Sequence, residues 1–190
     1  MQSAGQTINN GIMSSDAGAF INGGLLRGTG TFTNPFVGAL VAVTIPNGGT
    51  LAPGDETTPG KLTINGNLSS SGNMLFEIGG LASGLYDVLQ INGSALFTGG
   101  NITFDFINGF VASARNSWAF LYASAITGWD TLTFTVNGLR PNQTYAFSYA
   151  NGVETLTVRQ VHNVPEPDSF LLLAIGLVGL AWWRRKQQAH

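Results

Sequence analysis

The sequence predicts an all-β protein: a right-handed parallel β-helix with an antiparallel C-terminal cap, followed by one short transmembrane helix. Three observations carry this. Short alternating segments are separated by Asn-Gly pairs that begin at Asn10, Asn22, Asn47, Asn65, Asn92, Asn108, Asn137 and Asn151, and each pair can turn the chain sharply through positive φ. No window before residue 163 holds an apolar stripe of helical period over three turns. The last stretch alone differs, with uncharged residues 170–183 running into Arg184, Arg185 and Lys186.

The elements follow in order. Residues 10–35 are Gly-rich, with Ala19-Phe20-Ile21 and residues 28–33 as candidate strands. Residues 40–45 read as a clearer strand, and residues 48–60 as a loop because Gly and Pro punctuate them. Leu62 and Ile64, Leu68, then Met74, Phe76 and Ile78 alternate at the strand period, as do residues 88–91, 95–97 and 102–106. Strands this short, joined by Gly and Asn turns, fit the stacked turns of a solenoid. After Gly109 the chain becomes aromatic, and two alternating segments flank Asn151-Gly152, a strong hairpin signal. Residues 115–160 therefore read as antiparallel strands that cap the last turn, because an open solenoid end exposes unpaired backbone. A single antiparallel β-sandwich is the alternative. The expected divisions are 1–114 for the repeats, 115–162 for the cap and 163–190 for the tail, with its helix over 169–183.

Composition bounds the function. Charged residues are 9% of the chain, against about 25% in ordinary globular proteins. No basic run precedes the tail, which argues against a nucleic-acid partner. Cysteine is absent, which removes disulfides, thiolate metal sites and a cysteine nucleophile together. Residues 1–6 have neither a basic nor an apolar leader region, so an export signal and further turns are expected upstream.

The tail has its own physics. As a helix, residues 170–183 span about 21 Å against roughly 30 Å of hydrocarbon. Apolar side chains surround this helix, and Trp182 and Trp183 stand beside the cations, as at a membrane interface. Glu166 and Asp168 precede the segment and the three cations follow it, so the positive-inside rule places the cations in the cytoplasm. Pro165-Glu166-Pro167 forms a short extended segment that displays one carboxylate between two prolines.

Together Val164-Pro165-Glu166-Pro167, the apolar segment and Arg184-Arg185-Lys186 resemble the PEP-CTERM sorting signal of exported proteins in Gram-negative bacteria that make extracellular polysaccharide. The resemblance implies a substrate, not an enzyme. Pro165, Glu166 and Pro167 would be recognised by exosortase, a membrane-embedded cysteine transpeptidase, and Arg184, Arg185 and Lys186 would be the membrane stop. The implied partners are the inner membrane, the exosortase-type enzyme and extracellular polysaccharide. Residues 48–54 and 59–68, Phe76-Glu77-Ile78-Gly79, Tyr86-Asp87 and residues 99–103 also resemble segments of autotransporter-type passenger β-helices. An extra loop between Ile78 and Leu89 departs from their pattern.

Candidates for chemistry are few. Asp55-Glu56 in a Gly/Pro loop reads as a plain solvated loop, with a calcium site as the alternative. Asp87 and Asp105 read as surface carboxylates, with a catalytic pair as the alternative, and Trp118, Tyr122 and Trp129 as packing of the cap, with a sugar platform as the alternative. His162 and His190 lack the setting of a general base. No catalytic residue, metal or cofactor is expected. The expected function is that of an exported, non-enzymatic surface or matrix protein. The alternatives are a carbohydrate-binding or carbohydrate-active surface protein and a simple anchored membrane protein.

Overall fold

The computed structural model describes residues 1–35 and 41–161. Its strands repeat in threes. The first turn holds β1 (Gln6–Ile8), β2 (Ile12–Ser14) and β3 (Ala19–Phe20), and the second β4 (Gly24–Gly28), β5 (Thr31–Thr33) and β6 (Val41–Ile45). The third holds β7 (Gly49–Pro53), β8 (Lys61–Asn65) and β9 (Asn67–Ser70), and the fourth β10 (Asn73–Ile78), β11 (Val88–Ile91) and β12 (Ser94–Phe97). The fifth holds β13 (Asn101–Phe106), β14 (Ser117–Tyr122) and β15 (Ala125–Thr127). A 3₁₀ turn (Trp129–Thr131), β16 (Thr133–Asn137), β17 (Gln143–Ala150) and β18 (Val153–Gln160) complete the described chain.

From β1 to β16 each strand pairs in parallel with its counterpart one turn away, which gives three sheets in a solenoid-like architecture. Sheet 1 runs β1-β4-β7-β10-β13-β16, sheet 2 runs β17-β18-β14-β11-β8-β5-β2, and sheet 3 runs β15-β12-β9-β6-β3. Register places like on like. Leu26, Leu51, Met74, Ile102 and Phe134 form one column on sheet 1. Phe32, Ile64 and Ile91 form another on sheet 2, and Val43, Leu68, Ala95 and Ile126 a third on sheet 3. Most of these side chains are fully buried, so period-two alternation becomes a core only when turns stack.

The corner between sheets 3 and 1 depends on glycine. Gly100 has φ +104, and a Cβ there would run into the Gly72 carbonyl oxygen of the turn below. The backbones approach too closely for any side chain.

Three expectations change. Residues 49–53 are strand β7, not loop, because Thr50, Leu51 and Ala52 pair with the strands on either side while Pro53 comes last in the strand. The parallel pattern continues past residue 115 through β14, β15 and β16, and the antiparallel pairing belongs to β17 and β18, with β18 also laid antiparallel on β14. Aromatic content, which drew the boundary at 115, reports what fills the solenoid end and not strand direction. Parallel pairing throughout the first five turns overturns the sandwich alternative. The extra loop between Ile78 and Leu89 leaves register intact, since Leu89 still lies over Leu62.

Among the described residues no helix is long and apolar enough to cross a membrane. The helix expected over 169–183 lies outside those residues.

Candidate functional site

The residues expected to be recognised in sorting, Pro165, Glu166 and Pro167, and the basic stop Arg184, Arg185 and Lys186, lie outside the described residues, as do His162 and His190. The structure gives the point from which they depart. Strand β18 ends at Gln160, where the compact unit Met1–Gln160 also ends.

Within the solenoid, chemistry concentrates where sheet 1 passes to sheet 2. Residues 54–60, 79–87 and 107–116 form three loops there, one each from the third, fourth and fifth turns. Asp87 joins two of them. One carboxylate oxygen accepts the Gly60 N–H at 2.7 Å and the other accepts the Glu77 N–H at 2.8 Å. Gly54, at φ +81, leaves the space that Asp87 occupies, since a Cβ there would lie 2.6 Å from Oδ1. Asn108 reaches across to the Thr57 carbonyl at 3.5 Å, and Asp55 N–H closes its own loop on the Thr58 carbonyl at 2.9 Å.

Asp87 is 1% exposed, Arg27 4% and Glu77 8%, so three ionisable groups are buried on this side. Burial pushes the Asp87 carboxyl up to about 8, against the two backbone N–H donors and the Arg27 charge, which pull it down. Burial also raises Glu77, opposed first by Arg27. Glu77 Oε2 and Arg27 Nε have no hydrogen-bond partner among the described residues. A third carboxylate, Glu154 at the start of β18, is 3% exposed, and burial pushes it up to about 7.

The sequence weighed Asp87 as surface, yet it is buried. Arg27 and Glu77 gave no signal, because each alternates with core residues as a solvent-facing side chain would, whereas Glu154 stands in phase with the buried Leu156 and Val158. Asp55 and Glu56 are exposed, and Asp105 accepts a hydrogen bond from Asn137 on the neighbouring strand. No group of three or more His, Cys, Asp or Glu able to hold a metal occurs among the described residues.

The aromatic residues pack inward. Trp118 is 1% exposed and its indole N–H donates to the Gly80 carbonyl at 2.8 Å. Trp129 lies against Phe97, Phe120, Phe134 and Phe147, with centroids 5.1–6.4 Å apart. Such clusters fill the solenoid's last turn and anchor the hairpin upon it. Tyr122 is half-buried.

The fold and its exit define the class: a strand-rich, solenoid-like unit that delivers its chain into a terminal segment outside the described region. That segment is matched by the PEP-CTERM protein-sorting motif over residues 163–186. The motif supports an exported protein processed through an exosortase-type pathway and sorted to the cell surface or beyond. No curated protein matches the chain.

Proposed function

We propose that this is a non-enzymatic surface or matrix protein whose solenoid is the cargo and whose last residues are the address. In this reading the apolar segment 170–183 spans the inner membrane, Arg184, Arg185 and Lys186 hold its cytoplasmic end, and a transpeptidase reads Pro165, Glu166 and Pro167. The cargo winds right-handed, as parallel crossovers do, in the manner of an autotransporter passenger, and extracellular polysaccharide is its destination. The observation that carries the reading is the sorting motif at residues 163–186.

The buried carboxylates support a structural cargo. Both oxygens of Asp87 accept backbone N–H groups, which ties the loop 54–60 to strand β10 and gives this carboxyl a structural part in holding the turns together.

The test is intact mass and fractionation of the protein from a host that has the pathway. Wild type is expected to lose its tail and leave the inner membrane, and a Pro165→Ala, Glu166→Ala, Pro167→Ala variant to stay full-length in it. If both remain full-length in the membrane, the tail is a plain anchor and the sorting reading fails.

A further inference from the structure

Five basic side chains precede the tail, and three of them, Arg115, Arg140 and Arg159, gather where the chain leaves the solenoid. Arg159 is the penultimate residue of β18. Arg115 N–H donates to the Val158 carbonyl at 2.8 Å, which sets its turn beside the end of that strand. Arg140 opens the turn before β17, where its N–H donates to Gln143 Oε1 at 2.9 Å. Gln143 pairs with Gln160 in register and donates through Nε2 to the Ala112 carbonyl at 3.0 Å. The three arginines thus belong to three segments stitched around one exit.

Arg140, Gln143 and Gln160 line a cavity of about 290 Å³ there, together with Ser113, Ala114, Pro141 and Asn142. No carboxylate lines it. All three arginines are exposed. None of their guanidinium groups has a hydrogen bond or ion pair among the described residues.

A second observation is independent of charge. Arg115 sits at φ +74, in the left-handed region. The other non-glycine residues at positive φ are Asn108, Asn142 and Asn151, the residue type that tolerates it. Arginine has no such tolerance, so a cation is held at this turn at a conformational cost.

We propose that this arginine cluster is a docking surface for the phosphates of an anionic phospholipid membrane. The inference rests on the membrane-directed reading above. Fully extended, the chain from Gln160 reaches Pro165 within about 18 Å, so a membrane that receives the tail is close to the exit. Guanidinium groups suit phosphate oxygens in geometry as well as charge. Docked in this way, the solenoid would be held at this exit while its tripeptide is read.

The chain has no cysteine, so single labels are clean. Full-length protein carrying Ser113→Cys, or Ser3→Cys in the first turn as a control, is labelled with a fluorophore. It is then placed in nanodiscs of phosphatidylcholine alone or with phosphatidylglycerol, with a quencher on the headgroups. Quenching at residue 113 is expected only with phosphatidylglycerol, to fade at high salt, and to leave residue 3 unaffected. The Arg115→Gln, Arg140→Gln, Arg159→Gln variant is expected to lower the docked-to-undocked ratio roughly a hundredfold, from about fivefold per charge. The corresponding triple Lys variant is expected to keep most of it, which separates lost charge from lost folding.

Equal quenching in both lipids, or an unchanged triple Gln variant, would overturn the proposal. So would displacement by an anionic polysaccharide with no response to phosphatidylglycerol, which would assign the cluster to a sugar polyanion. Failure to co-elute with any nanodisc would instead break the membrane reading beneath it.

Discussion

At the scale of single residues, burial raises three carboxyls, Asp87, Glu154 and Glu77, and these shape how this protein responds to pH. Asp87 is raised from 3.8 to about 8 and Glu154 from 4.5 to about 7, both by burial. A carboxyl whose folded value lies above its unfolded value binds its proton more tightly when folded. Its contribution is therefore complete below the unfolded value and is lost as pH rises through the folded one. Stability is expected to decline from about pH 4 to 8. Glu154→Gln should flatten the part of the decline below pH 7, as read from melting temperature against pH, and superimposable profiles would show that Glu154 is not a source of it. Asp87→Asn turns one acceptor into a donor facing a backbone N–H. It should cost about 1–3 kcal/mol, roughly 3–9 °C in Tm.

Among elements, the β17–β18 hairpin determines how the solenoid ends. Asn151 at φ +51 and Gly152 at φ +80 connect Ala150 to Val153 with a two-residue turn of the type that matches strand twist. The β18 strand lies antiparallel on β14, and the Phe147 ring of β17 packs tilted or edge-on against Phe104, Phe120, Trp129 and Phe134. Replacing Asn151 and Gly152 with two alanines forces Cβ-bearing residues of low αL tolerance into that turn. The expected loss is about 1–3 kcal/mol. In near-UV circular dichroism the aromatic signal should melt earlier, and an unchanged melt would mean that packing alone sets the hairpin.

For the whole molecule, the solenoid is close to one-dimensional, so each turn draws its stability from its neighbours. Among the described residues the first turn has paired strands on one side only, and Ile8, Ile12, Met13 and Phe20 are substantially exposed there. Its strands lie over a partly open cavity of about 310 Å³ lined by Met13, Phe20, Leu26 and Phe32. Amides of β1, β2 and β3 should therefore exchange with deuterium well before those of β8, β10 and β11, which have paired strands on both sides. Uniform protection along the chain would indicate a single cooperative unit.

Much of this was legible in the sequence, and the physical reason is range. Alternation in residues 62–78 and 102–106, the Asn151-Gly152 turn and the order of tripeptide, apolar segment and cations are local features, determined by chain geometry and hydropathy over a few residues. Parallel pairing is not local. Asp87 meets the Gly60 N–H across 27 residues of sequence, and Trp118 meets Gly80 across 38. Nothing near residue 27 or 77 distinguishes a charge destined for burial from one on an outer face, whereas Asp87 and Glu154 stand in phase with the core residues Leu89 and Leu156. Only the stacking of turns folds the three loops over one side, continues parallel strands past residue 115, and brings arginines from three segments to a common exit. The sequence by itself determined the all-β alternation and the sorting motif. The tertiary structure decided which side chains meet, because burial belongs to the stack of turns and not to any one of them.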